Sequence, residues 1–139
     1  MDQFNTMLAR WEPMVLSIFR IMVGLLLFQY GVAKILTYPV LPYFANIPPL
    51  IVAAGWIELV LGALLILGLF TRPVAFVLSG EMAFAYFMGH MFKAGFGAPV
   101  FTPLLNGGNA AILFCFACLY LACAGGGAWS LDAMMRKRA

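Results

Sequence analysis

Four apolar runs, at about 14–36, 50–69, 74–92 and 107–124, are separated by short segments rich in polar residues, proline or glycine. Rising ~1.5 Å per residue as α-helices, each can cross a hydrocarbon core of ~30 Å. The pattern predicts an all-α integral membrane four-helix bundle, with 1–139 forming a single transmembrane domain. Between the first two runs, 37–49 carries Pro39, Pro42, Pro48 and Pro49. Their missing amide donors oppose a helix, so this is a loop or a shallow re-entrant piece. A tight turn at Thr71, Arg72 and Pro73 joins the second and third runs as an antiparallel hairpin, with Pro73 in the first turn of the new helix. The segment 93–108, with several glycines and prolines, links the last two runs on the same side as the proline-rich loop.

Composition removes the soluble alternatives. Of 139 residues, 65% are hydrophobic and 9% charged, against about 25% charged in a soluble domain, and mean hydropathy is +1.01. A soluble catalytic domain is excluded. Arg10, Arg72, Arg136, Lys137 and Arg138 fall on one side of the spans and only Lys34 and Lys93 on the other, so both termini are expected in the cytoplasm. The net charge of +3 reflects the basic tail at Arg136–Arg138, which suits anionic lipid and offers no nucleic-acid surface. No small-residue cleavage site follows the first run, so it is expected to stay in place rather than be removed as a signal peptide. Cys115, Cys118 and Cys123 share one apolar run and read as small core residues, not as a disulfide framework.

Lipid would reject three residues: Arg20, Glu58 and Glu81, each well inside its span. A charge at mid-membrane costs about 2.5–3.5 kcal/mol on insertion scales, so the three are expected to turn inward and form one cluster. One arginine with two carboxylates favours a shared proton; the alternative is a structural ion cluster that sets the register of the bundle. Helical projection puts Arg20, Gly24, Gly31 and Lys34 on one stripe of the first helix and Gly55, Glu58 and Gly62 on one stripe of the second. Glycines there allow close helix approach. On the third helix Glu81 shares a face with Phe84, Ala85, Met88 and Phe92, while His90 projects to the opposite side.

Toward the loop side, Tyr30, Lys34, Tyr86, His90, Asn106 and Asn109 are candidates to line an outward-opening ligand pocket, although such a ring in a membrane protein is more often an interfacial anchor. Met88, His90 and Met91 would suit Cu(I) chemically, but three ligands within four consecutive positions of a helix cannot all point at one ion, and no metal site is expected.

Arg20, Gly24, Gly31 and Lys34, then Glu58, Gly62 and Gly68, then Thr71–Arg72–Pro73, and finally Gly127, Ser130, Leu131 and Asp132 together resemble the DoxX family over nearly the whole chain. The resemblance implies a small multi-pass protein of the bacterial inner membrane associated with redox and thiol-stress functions. It marks Arg20, Lys34, Glu58 and Arg72 as pattern positions and leaves Glu81 as an additional carboxylate. Many relatives carry a glutamate where this chain has Asn109. The Gly125–Asp132 segment is expected to end the last helix, with Ser130 or Asp132 as a helix cap.

The resulting expectation is an accessory membrane subunit of a redox system, in which Arg20, Glu58 and Glu81 handle protons for a quinone or similar apolar redox molecule; no cofactor is strictly required. Its partners would be the lipid bilayer, a redox partner protein and, in a homo-oligomer, further copies of itself. The alternative is an oligomeric small-molecule transporter with the Arg/Glu cluster as gate or proton-coupling site.

Overall fold

The computed structural model describes residues 1–92 and 99–139; Lys93, counted above in the charge balance, lies outside the described residues. Six α-helices are present among the described residues: α1 (Asp2–Ile35), α2 (Pro49–Leu67), α3 (Thr71–Tyr86), α4 (Pro103–Asn106), α5 (Asn109–Ala124) and α6 (Leu131–Arg138). A 3₁₀ turn at Pro42–Phe44 interrupts the proline-rich loop, and a π-helical turn at Phe87–Met91 prolongs α3. Three helical segments, Asp2–Ile35, Pro49–Leu67 and Thr71–Met91, are long and apolar enough to cross a membrane. The fourth apolar run forms a helix of 16 residues, about 24 Å long and shorter than the other three. The protein is a helical membrane protein.

α1 begins at Asp2, not near residue 14, and carries Pro13 inside it. Pro13 is the twelfth residue of the helix and leaves the carbonyl of the exposed Ala9 without its amide donor, while its own carbonyl accepts from Ser17 Oγ at 2.9 Å. α1 packs chiefly on α2, α3 on α5, and α2 on α3. Between them lies a core of Val23, Leu27, Leu65, Val74, Leu78, Met82, Cys118 and Leu121. Large apolar residues on the outer faces, such as Phe76, Leu113 and Phe116, stay exposed, as lipid-facing side chains must.

Glycines set the α1–α2 contact. Gly31 lies on the backbone of Leu59 and Gly55, Gly24 on Ile66 and Gly62, and Gly62 on Phe28. Rising positions on α1 meet falling positions on α2, so the pair is antiparallel and its backbones touch.

The turn from α2 to α3 lies one step earlier than the tripeptide Thr71–Pro73. Gly68 takes the left-handed conformation (φ 70°) and the Leu69 amide reaches back to Leu64 O at 3.0 Å, a glycine C-cap. Thr71, Arg72 and Pro73 are already the first turn of α3. Asp132, from the start of α6, accepts from the Phe70 and Thr71 amides at 2.9 Å each and caps α3 from a distance of 61 residues in sequence. Ser130 caps α6 itself, accepting from the Ala133 amide at 3.1 Å. Both expected caps exist, on different helices.

Burial alone would raise the Asp132 carboxyl, but hydrogen bonds from Thr71 and the Phe70 amide, with the charge of Arg136, hold it below the ordinary carboxylate range. A depressed carboxyl stabilises the fold above its unfolded value, and that contribution disappears as pH falls through the folded one. Asp132→Asn is therefore expected to cost about 1 kcal/mol at neutral pH. The gap to the parent should close in acid, as measured by unfolding midpoints in mild detergent; a pH-independent gap would remove the carboxylate from this role.

Candidate functional site

The end of the bundle that carries both termini is a knot of capping interactions, and Arg20 is at its centre. Only 1% exposed, its guanidinium donates to the carbonyls of Gly126, Trp129 (2.8 Å) and Ile66 (3.3 Å). Ser17 Oγ supports the same loop by accepting from the Trp129 amide at 3.0 Å. Arg72 does likewise for α5, donating to the carbonyls of Ala122 and Cys123. Each cation thus sits on the carbonyl end of a helix, where orphan acceptors and the helix dipole both favour positive charge.

The expected Arg20–Glu58–Glu81 cluster does not form. Arg20 belongs to the knot, level with Ile66 and Gly68, whereas Glu58 lies eight residues back along α2, about 12 Å away along the axis. Carbonyl oxygens left free by helix ends satisfy a buried guanidinium as well as carboxylates do, and depth counting does not see them. The transport reading loses its Arg/Glu gate by the same observation.

Glu58 pairs with Lys34 instead. Lys34 Nζ is 2.8 Å from Oε1 and 2.7 Å from Oε2, with the two side chains 12% and 3% exposed. Local packing produces this pair. Gly31 and Gly55 bring the backbones together, and the next turn of each helix carries Lys34 and Glu58; Gly55 itself leaves room for the Lys34 Cβ. The Tyr30 and Phe44 rings stand 5.9 and 5.7 Å from the ammonium, distances at which an aromatic face attracts a cation. Glu81 of α3 adjoins Glu58 closely enough for a carboxyl–carboxylate hydrogen bond, yet both its oxygens are buried with no other donor, so that bond exists only if one of the two acids carries a proton. Glu81 is half-buried as a residue, between Leu78 and Met82 on the core side and the exposed Val77 and Phe84 on the other. Its acid group thus points inward from a helix edge that borders lipid.

The remaining predicted ligand residues do two different things. Tyr30 packs edge-on against Phe114 beside Lys34. Tyr86, His90 and Asn106 tie down the loop before α5: the Tyr86 hydroxyl donates to Phe101 O at 2.9 Å, Asn106 Nδ2 to Val100 O at 2.7 Å, and His90 Nδ1 to Asn106 O at 3.1 Å. Asn109 is exposed at the first position of α5. Met88 is exposed and Met91 buried, so these thioethers diverge from His90, and no cluster of metal-ligating side chains occurs among the described residues.

All three cysteines are free: Cys118 is in the core, Cys115 half-buried beside Ser79, and Cys123 exposed, which corrects the reading of all three as core residues. A large groove, about 670 Å³, lies at the knot between Pro13, Arg72 and Arg136, not at the glutamates.

Sequence reasoning placed Lys34 on the inward stripe and among the ligand-pocket candidates but did not pair it with Glu58. Glycine spacing alone would not have found the pair, since matching Gly24 with Gly62 and Gly31 with Gly55 puts Phe28 opposite Glu58; the observed contacts, Gly31 on Leu59 and Gly55 on Lys34, shift the register by about a turn and bring Lys34, not Arg20, to Glu58.

The DoxX family model matches residues 15–91, the part of the chain that holds Arg20, Lys34, Glu58, Arg72 and Glu81. A protein of Haemophilus influenzae described as uncharacterized is 43% identical over 128 residues, covering 90% of this chain and 93% of that protein. No solved structure matches the chain.

Proposed function

This chain belongs to the DoxX family, and from that premise we propose that it is an accessory subunit of a redox system, multi-pass in the bacterial inner membrane with both termini in the cytoplasm, whose Lys34–Glu58–Glu81 cluster takes up and gives back a proton. The observation that carries this reading is the buried Glu81 carboxyl, with no donor in reach, beside a Glu58 that Lys34 already occupies. Lys34 and Glu58 cancel in charge. A third, ionised group at that depth would stand uncompensated in a medium of low dielectric, and one shared proton brings the set to neutrality.

The donor set fits the headgroup of a quinone or similar apolar redox molecule. A protonated Glu81 and the third N–H of Lys34 can donate to carbonyl oxygens, and the Val77–Phe84 edge of α3 opens to the acyl chains from which such a molecule would come. When bound, that group would supply the electron-accepting chemistry, with electrons coming from a redox partner protein. This chain's part is to hold the proton at a Glu81 oxygen and to keep water away.

Glu81→Gln keeps the shape and removes the exchangeable proton. Infrared difference spectra of the protein in lipid at neutral pH should show a protonated-carboxyl band that Glu81→Gln abolishes and that an added short-chain quinone perturbs. Mass spectrometry of small molecules retained in mild detergent should find a quinone. Absence of the band, or its survival in Glu81→Gln, would overturn the proton-holding reading. A band insensitive to quinone would remove the quinone from it.

A further inference from the structure

α1 is 34 residues long, about 51 Å, and its first part leaves the bundle behind. Residues 1–13 are all exposed, and the chain's own contacts with α1 begin at Pro13 and Ser17, where the knot closes on it. About 16 Å of helix therefore projects past the end of the bundle. A solitary helix of that length is marginal in water without a packed face.

That face is present and unpartnered. Phe4, Leu8, Trp11, Val15, Ile18 and Met22 alternate at spacings of four and three, and each is between 49% and 56% exposed. This is the heptad seam of a coiled coil, running without a break from the projecting segment into the membrane portion. Asp2, Arg10 and Glu12, the charges of the projecting segment, all fall off the seam. The opposite side of the helix, with Ser17, Arg20 and Gly24, is the one that faces α2 and the knot.

Lipid can cover Val15, Ile18 and Met22, but a helix aimed away from the bundle end presents Phe4, Leu8 and Trp11 to water. Six half-exposed large side chains remove roughly 600 Å² per copy when covered, which reaches the lower size of a stable interface, ~1,200 Å² in total. A groove of about 260 Å³ lined by Val15, Phe19 and Tyr120 opens beside the seam and can receive a side chain from across it. Copies inserted in one membrane share one orientation, so their α1 helices meet in parallel about a two-fold axis normal to the bilayer.

We propose that the protein forms a parallel homodimer through an α1–α1 coiled coil along the Phe4–Met22 seam. This is independent of the reading of the Lys34–Glu58–Glu81 cluster, and neither test bears on the other.

The test is disulfide scanning of the full chain in native membranes, with Cys115, Cys118 and Cys123 replaced by alanine and single cysteines placed from position 4 to 12. Dimer cross-links should peak at Phe4→Cys, Leu8→Cys and Trp11→Cys and be weak at Thr6→Cys, Ala9→Cys and Arg10→Cys. In mild detergent, Leu8→Glu, which sets two carboxylates against each other across the axis, should weaken the dimer at least about tenfold. It should leave the thermal unfolding of the bundle unchanged, because Leu8 lies in the exposed segment that projects past the bundle. A monomer mass for the parent protein, cross-linking without the 3.5-residue period, or a seam protected by lipid while cross-links stay absent would each overturn the proposal.

Discussion

Replacing Lys34 by methionine is expected to destabilise the protein by about 3–5 kcal/mol, the usual cost of leaving a buried charge without its partner. Lys34 Nζ is the only cation within reach of the Glu58 carboxylate among the described residues, and Glu81 beside it has no other compensation. Methionine retains the stem that packs near Gly55, so the lost volume is small and the effect isolates the charge. Two comparisons make the attribution specific. Lys34→Met combined with Glu58→Gln removes both members of the pair and should recover most of the loss. The deficit of Lys34→Met alone should shrink as pH is lowered, because protons then supply the missing balance. Unfolding midpoints in mild detergent read all three. A Lys34→Met protein within about 0.5 kcal/mol of the parent, the range of an ordinary surface substitution, would mean that the ammonium does not hold the site together.

Gly31→Ala should cost at least about 3 kcal/mol, the upper part of the range for overpacking. A Cβ at Gly31 would stand 2.5 Å from the Leu59 amide nitrogen, 2.7 Å from its Cα and 2.9 Å from the Gly55 carbonyl oxygen. All three are backbone atoms, so no rotamer change relieves the contact and α1 must lift away from α2. Lifting at that level also draws Lys34 off Glu58, one turn on, so this substitution should reduce any function of the cluster together with stability. Gly62→Ala meets Phe28 at 3.0–3.2 Å and should cost less. Gly80→Ala on α3 meets nothing within 4 Å and should be neutral or stabilising by up to about 1 kcal/mol through helix propensity. If Gly31→Ala melts with Gly80→Ala, the two helices do not touch along this line.

Particular residues show how far the sequence carries. The apolar runs, the proline-rich break and the inward stripe of Arg20, Gly24, Gly31 and Lys34 were legible because lipid enforces hydrophobic periodicity on any helix that enters it. Ser130 and Asp132 were recognisable as caps because short polar side chains after a glycine run have few other uses. Which helix Asp132 caps was not legible, since its partners are the amides of Phe70 and Thr71, distant in sequence. The start of α1 was missed because Asp2, Arg10, Glu12 and Pro13 lower the local hydropathy without preventing a helix.

From the sequence alone come the membrane as solvent, the helical class and the short set of ionisable groups that cannot face acyl chains. Those follow from composition and period, which are local properties. The assignment of partners belongs to the tertiary structure: Arg20 to the carbonyls of Ile66, Gly126 and Trp129, Lys34 to Glu58, and Glu81 beside that pair with no donor of its own. Partnering depends on the register in which helices cross, and that register is set by backbone contact at Gly31 and Gly55, a through-space constraint that no single segment contains.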